Sequence, residues 1–456
     1  MSDFTPLPLA NEFEQVSNSD WVAHAEKTLK KGTLESLITT TTDGISVKPL
    51  YSAADSIGRV ASPGSPTWDI RALIMATTPE AANKIALEEL MKGSTSLLLD
   101  LFTIGSSDLR HILSDIYPEM TSISLHPSPY GVEVAAELLK FWDGKDLSSC
   151  KGDLGLDPLG VSSRYGGTPN WDGIVDAVNS TLGLPNIHPI TVDSTVYAEA
   201  GASEAWELAC SLATGVSYLR HLEDNGIEPK NTATSFTFTY SADTDQFLTM
   251  AKFRAARHLW QQVQQHCDID PIPQHQAAVT SAAMLTRSDP WMNLLRTTVA
   301  AFAAGTSGAN AVTSRPFDTP LGQSEEFGQR LARNTQLLLT EESGLAQVTD
   351  PGGGSWYLEN LTKELAEESW KRFQAIEAEG GMEAALANGK ILTEIEATWE
   401  ERKGRLESGK ASLIGVNIYP NSDEEELNRT PFFHAPNGPF QLRRWSEPFE
   451  ESGNKS

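Results

Sequence analysis

Three cysteines in 456 residues, odd in number and far apart, are too few for a disulfide framework or a paired-cysteine metal site. No stretch approaches the roughly 20 apolar residues that a membrane-spanning helix needs. The N-terminus, MSDFTPLPLANEFEQ, has neither a basic region nor an apolar run, so no secretory signal is expected. Positive charge is scarce. Lys and Arg number 35 against 61 Asp and Glu, a net charge of −26. So acidic a surface repels phosphate backbones and anionic lipid, which argues against nucleic-acid and membrane partners. Together these features predict a soluble, cytoplasmic protein with reduced thiols.

Chemical signatures are missing as well. The nine histidines form no HExxH pair, and there is no GxSxG elbow. GRLESGKA, residues 404–411, has the glycine and lysine spacing of a phosphate loop. It lacks the Ser or Thr that would hold magnesium and lies in a charged helical region, so a helix is expected there. Cys267 stands beside His266, but neighbours in sequence on a helix point their side chains apart.

What is present is a regular alternation. Short apolar or β-branched runs occur at residues 70–76, 95–101, 122–126, 154–159, 188–194, 234–239, 275–279 and 310–314. Helical patterns lie between them, at 79–93, 107–117, 130–144, 203–226, 243–267, 289–305 and 324–343. Such a series predicts a parallel sheet in an α/β fold, and eight units close a (β/α)8 TIM barrel. An open doubly wound sheet would carry a glycine-rich turn after its first strand, and none is present. The barrel is expected over residues 67–356. Residues 1–66 read as an N-terminal arm, with an amphipathic stretch at 19–32 and a Thr-rich segment ending in SPGSP. Residues 357–456 read as a helical extension followed by an extended C-terminal arm. His275 falls in a barrel strand, where an inward side chain is either catalytic or a packing residue. The turn DPGGGSWY, residues 350–357, is either a tight turn or a point of close approach by a ligand or partner.

Several segments resemble the methylmalonyl-CoA mutase family. They are TSAAMLTRSDPWMNLLRTTVAAFAAGTSGANAVTSRPFD, ARNTQ, DPGGGSWY and the EAEGGM ending, with WDIRA and EAGASEAWELA as weaker anchors. The resemblance spans roughly residues 15–450 and implies a (β/α)8 barrel. It also implies interconversion of methylmalonyl-CoA and succinyl-CoA, with adenosylcobalamin as radical source on a separate C-terminal domain and CoA threading the barrel.

The departures from the family pattern are specific. Where active members carry a tyrosine, DIRALIMA has Leu73; where they carry a histidine that bonds the thioester, DSTVYAEAGA has Val196. Neither side chain can donate a hydrogen bond. An arginine that meets CoA corresponds to His275, and a polar contact is lost at Gly155; Arg71 survives from the first motif. No histidine sits in the DxHxxG setting that holds cobalt. These departures, with GLDPLG and RRWSEPFE, fit the small, non-catalytic subunits of heterodimeric members. The resemblance therefore implies a chain that supports a large catalytic subunit. No residue here is expected to be catalytic, and Arg71 and His275 are candidates to meet an acyl-CoA. Adenosylcobalamin is expected on the partner, with no cofactor or metal on this chain, and residues 19–32 are candidates for the partner contact. The rival readings are an active acyl-CoA isomerase of altered specificity, using a separate cobalamin subunit, and a solitary acyl-CoA-binding scaffold.

Overall fold

The structure is a computed structural model and describes residues 16–29, 32–105, 108–421, 423–431 and 437–453. The N-terminal MSDFTPLPLANEFEQ, the end of the amphipathic stretch at residues 30 and 31, the start of the second helical pattern at 106 and 107, and parts of the C-terminal arm lie outside the described residues.

All eight expected strands are present. They are β1 (Asp69–Met75), β2 (Ser96–Asp100), β3 (Ser122–Leu125), β4 (Gly152–Leu156), β5 (Ile187–Asp193), β6 (Phe236–Ala242), β7 (His275–Thr280) and β8 (Ala311–Thr313). They are hydrogen-bonded in the order β3-β2-β1-β8-β7-β6-β5-β4, every pair parallel. Helices return the chain between most of them, as βαβ connections require. Leu97 and Leu99 of β2 are fully buried, as expected for strands covered on both faces.

The barrel closes where β3 meets β4, and glycine makes the closure possible. Ile123 N donates to Lys151 O at 3.0 Å across this seam. A Cβ on Gly152 would lie 1.7 Å from Ile123 O, and one on Gly155 would lie 2.5 Å from Leu125 O. Both glycines have positive φ, 150° and 70°. The register of β4 against β5 slips between Asp153 and Leu156, a bulge that bends the strand into the seam.

The helices have local causes. Thr78 caps Pro79–Met91, with proline in the first turn. Behind the barrel, Trp356–Ala378 packs over Glu204–Asp224 and Gln246–His266. That layer is tied by Arg254, fully buried, which donates to Asp350 and Glu359. The glycine-rich turn is tight and anchored at its buried Asp350, with Gly354, Ser355 and Trp356 exposed. A Cβ on Gly353 would meet the Asp350 carboxylate, and one on Gly352 would meet Leu358.

Four local expectations need correction. The strand expected at 154–159 begins at Gly152 and stops at Leu156, because Asp157 caps a helix, Pro158–Tyr165, by accepting from Gly160 N at 3.0 Å. The connection after it holds a further helix, Ile174–Thr181. The helix expected at 107–117 shrinks to Leu109–Ile112, since Asp115 turns left-handed at φ 60° and Pro118 follows. The Thr-rich N-terminal segment contains a short antiparallel hairpin, Thr39–Thr40 with Ser46–Val47. GRLESGKA begins inside the helix Lys390–Glu407, as expected. Among the described residues, no helix is long and apolar enough to cross a membrane.

Alanine at the seam should be costly. Gly155→Ala is expected to destabilise by about 2–4 kcal/mol through left-handed strain and overpacking, and Gly152→Ala by more. Urea midpoints at equal m-value measure this; wild-type stability in either variant would contradict the seam geometry.

Candidate functional site

Strand alternation sends every second side chain into the barrel. In β1 this brings Arg71, Leu73 and Met75 inward, one above the other. Leu73 and Met75 line a cavity of about 540 Å3 at the mouth, formed by the C-terminal ends of the strands. Val196, on the short helix Thr195–Glu199 that follows β5, forms another part of its wall. Leu98, Val279, Leu285 and Leu442 add further hydrocarbon. Leu73 and Val196, the two positions singled out from sequence, therefore face one chamber and present only hydrocarbon to it.

Most charged groups in the wall are paired. Arg164 donates to Asp193 at 2.9 Å and to Thr195 Oγ1 at 2.9 Å. Burial would raise the Asp193 pKa, but Arg164, His126 and the Thr195 bonds outweigh it and hold the carboxyl below its ordinary value. Arg315 reaches Glu199 at 2.8 Å. Behind this wall Asp157 is pushed up to about 7, chiefly by burial, although the Tyr218 hydroxyl donates to it. The C-terminal segment crosses the mouth: Phe440 N donates to Ser163 O, Arg443 N to Glu199 O and Trp445 N to Ala283 O. Phe440 meets Tyr197 edge-on at 5.2 Å.

The floor is a buried polar knot. Arg71 Nη1 donates to Asp153 Oδ2 at 3.1 Å, and Arg71 Nε to Ser96 Oγ at 3.3 Å. Ser124 Oγ donates to the same Asp153 oxygen at 2.6 Å, and Thr237 Oγ1 to the other at 2.5 Å. His275 Nδ1 lies 3.0 Å from Thr237 Oγ1, and its ring stacks on His188 at 4.1 Å between centroids. His188 Nδ1 lies 2.7 Å from Thr234 O. Burial opposes the Asp153 charge, yet Arg71, with the bond from Ser124, holds its carboxyl well below the ordinary range. Burial, with His188 alongside, pushes His275 down, so it stays neutral.

Arg71 and His275 thus meet in one network; Arg71 and Asp153 form the chamber's floor, while His275 does not line it. Sequence reading missed two members, Asp153 and His188. Both lie in the first half of strands at inward positions, which is the signal that could have found them. Asp153, His188 and His275 bring one ligand atom each within 4.8 Å of one another. A metal binds in the plane of an imidazole, along the nitrogen lone pair. The two rings stack 26° from parallel, with His188 Nδ1 already at Thr234 O and His275 Nδ1 at Thr237 Oγ1. The Asp153 oxygens are also occupied by Arg71, Ser124 and Thr237. The cluster is a plug.

Comparison with known proteins bears on this site. The methylmalonyl-CoA mutase family model matches residues 144–436. The chain is similar to the methylmalonyl-CoA mutase small subunit of Streptomyces virginiae, 38% identical over 99% of this chain and 78% of the relative. It is 34% identical to that of Propionibacterium freudenreichii subsp. shermanii, over 100% of this chain and 77% of the relative. It is 31% identical to that of Porphyromonas gingivalis, over 91% and 72%.

Two outcomes are expected of the floor. Asp153→Asn leaves the Arg71 charge buried and uncompensated, at a cost of about 3–5 kcal/mol. A double Arg71→Met, Asp153→Leu should recover much of that in urea unfolding, whereas additive losses would show that the pair is not coupled. The second concerns pH. His275 titrates below its ordinary 6.5 when folded, so the unfolded chain takes up that proton first. Stability is then present above about 6.5 and lost as pH falls. Asp157 slopes the opposite way in this window but is common to both proteins. His275→Asn should therefore show a shallower loss on acidification from 6.5, by up to one proton per molecule; identical slopes would refute it.

Proposed function

The chain belongs to the methylmalonyl-CoA mutase family as one of its small subunits, and from that premise we propose that it is a non-catalytic partner of a large catalytic subunit. The observation that carries this reading is the apolar mouth over a filled bore. Leu73 and Val196 stand where the family resemblance calls for a tyrosine and a histidine, and neither can position a thioester carbonyl. Beneath them the Arg71–Asp153 pair and the stacked histidines occupy the path along which the resemblance would thread CoA. In this reading Arg71 and His275 belong to the plug, not to an acyl-CoA site.

Adenosylcobalamin, when bound in the holoenzyme, supplies the radical. The described residues of this chain do not fit it. A corrin with its nucleotide tail exceeds a chamber of about 540 Å3. Its cobalt would need an imidazole facing the chamber, and among the described residues only His126 lines it. His126, at the wall, sits with Nδ1 3.1 Å from Pro127 O. We place the cofactor on the large subunit.

The division of labour along the chain follows. In this reading residues 67–356 make the barrel unit, 357–456 a C-terminal extension and 1–66 an N-terminal arm; Asp43, Val60 and Ser62 of that arm hold to this chain, through Ala205 and Arg372, Glu359 and Arg257, which leaves the helix Asn18–Thr28 for the partner. Support for the arm comes from the helix Asn18–Thr28. It is capped at both main-chain and side-chain level by Ser17 and Asp20, yet no residue of it is buried. A folded amphipathic helix with Trp21, Val22 and Ala25 half-exposed has a face left to cover.

The purified chain, given adenosylcobalamin and methylmalonyl-CoA, should show no succinyl-CoA formation above a protein-free control. Co-expressed with a large subunit, it should elute as a 1:1 complex with turnover. Removing residues 1–32 should weaken that complex by about tenfold or more, roughly 1.4 kcal/mol. Turnover by this chain alone would overturn the reading.

A further inference from the structure

We propose that the outer wall of the barrel at the helices following β7 and β8 is a docking face for the large subunit, an apolar centre bordered by an acidic rim. This rests on the partner reading above and deepens it, by naming the face the partner covers and the chemistry it must bring.

The centre is built from three segments. Trp291 precedes the helix Met292–Thr306, and Leu295, Thr298 and Phe302 follow it at helical spacing. Asn293, Arg296, Thr297 and Ala300 of the same helix are buried, so this stripe faces outward. An outward stripe on a barrel helix is ordinarily polar and charged, and this one carries no charge. Phe327 opens the next helix, Glu326–Leu337, and brings its ring within 6.4 Å of Trp291, which stacks at 4.6 Å on the buried Phe317. The third segment is the turn at 414–419. Arg296 Nη2 donates to Ile414 O at 2.6 Å, which sets that turn beside the same helix. Gly415 N donates to Ile418 O at 2.9 Å, and Tyr419 follows at φ 50°, left-handed for a bulky residue.

Leu295 is 60% exposed and Tyr419 78%, while Trp291, Phe327 and Ile414 are each about half exposed. Apolar residues scattered singly over a surface are ordinary, but a contiguous group marks a contact. Aromatic side chains bury roughly 150–250 Å2 each, so these five leave about 500 Å2 of ring and hydrocarbon in water. That is near the top of the range for the largest patch on a monomer, and more than half of the roughly 800 Å2 that one partner contributes to a stable interface. Trp and Tyr are also the side chains on which binding energy concentrates.

The rim selects the occupant. An acidic run at 423–426 borders the patch, since Asp289 N, two residues before Trp291, donates to Glu424 Oε1 at 2.8 Å. Glu325 stands two residues before Phe327. Arg429 is spent on Asp318 at 2.6 Å, with Glu325 at 3.7 Å, so the acidic run keeps its excess. A symmetric contact between two copies would set acid against acid, in a chain of net −26. The complement is therefore a different chain, apolar at its centre and ringed by Lys and Arg. The large subunit is the different chain that the partner reading supplies.

The test titrates the full chain against a purified large subunit at several salt concentrations. Wild type should form the 1:1 complex, with association slowing as salt rises. Leu295→Asp is expected to weaken the complex at least roughly tenfold, and Trp291→Ala about thirtyfold, with thermal midpoints reporting that the fold is intact. Should Trp291→Ala lose its fold through Phe317, Leu295→Asp decides. Glu425→Lys with Glu426→Lys should slow association and flatten its salt dependence. Met120→Asp, at an exposed site before β3, should change nothing. Wild-type affinity in Leu295→Asp would overturn the docking face and leave the partner reading standing. An equal loss in Met120→Asp would overturn it as well, by showing that any new surface charge suffices. So would a homodimer of the isolated chain that Leu295→Asp dissolves, which would give the face to a second copy. No complex with wild type would overturn both readings.

Discussion

The ion pair between Arg71 and Asp153 is the constraint around which the barrel is arranged. Two unit charges removed from water are costly unless each is paired and its remaining donors and acceptors are met. Here they are met by side chains from around the ring. Ser96 comes from β2, Ser124 from β3, Thr237 from β6 and His275 from β7, while His188 of β5 stacks against His275. With Arg71 on β1 and Asp153 on β4, seven of the eight strands contribute to one knot. A slip of one residue in any of them would turn its contributor to the outside. The knot therefore sets register as well as filling space, and it cannot be an open channel at the same time.

That register reaches its hardest point at the seam. Asp153 must face inward while the flanking backbone of β4 passes almost against β3. Gly152 and Gly155 supply the clearance on either side of it. The same logic of buried charge recurs outside the barrel. Arg254 ties the glycine-rich turn to two helices, Arg333 reaches Glu89, and Lys252 meets Glu207 at 2.5 Å. In a chain this acidic, cations are the scarce partner, and many are spent in the interior on joining elements. The net surface acidity is partly a consequence of where the arginines went.

Much of the architecture was legible because its signals are local. Eight apolar runs with helical patterns between them are enough to close a barrel by count. The misses have equally local causes. Asp157 and Pro158 end a strand and start a helix within an apolar run that reads as continuous. Asp115 breaks a helical pattern through a backbone conformation that periodicity does not register. The floor was half legible. His275 could be placed in a strand, but its partners Asp153 and His188 lie 122 and 87 positions away, and only the closed ring brings them together. Leu73 and Val196 carry no signal as residues. They mean something only where a family pattern sets the expectation of tyrosine and histidine.

Arg71 and Leu73 show why such a barrel can lose chemistry and keep its fold. They are two residues apart on one strand and point the same way, yet they serve different layers. In barrels the first half of each strand bears on stability, while the C-terminal ends and following loops carry function. Arg71 sits in the lower layer, locked to Asp153. Leu73 sits in the upper, where it touches a chamber rather than a load-carrying neighbour. Exchanging a polar group for hydrocarbon at the upper position removes a donor that packing did not require. The same exchange at Arg71 would leave Asp153 charged and alone in the core. The division between layers is thus energetic before it is functional. It accounts for a mouth that departs from the family pattern over a floor whose polar groups are nearly all satisfied.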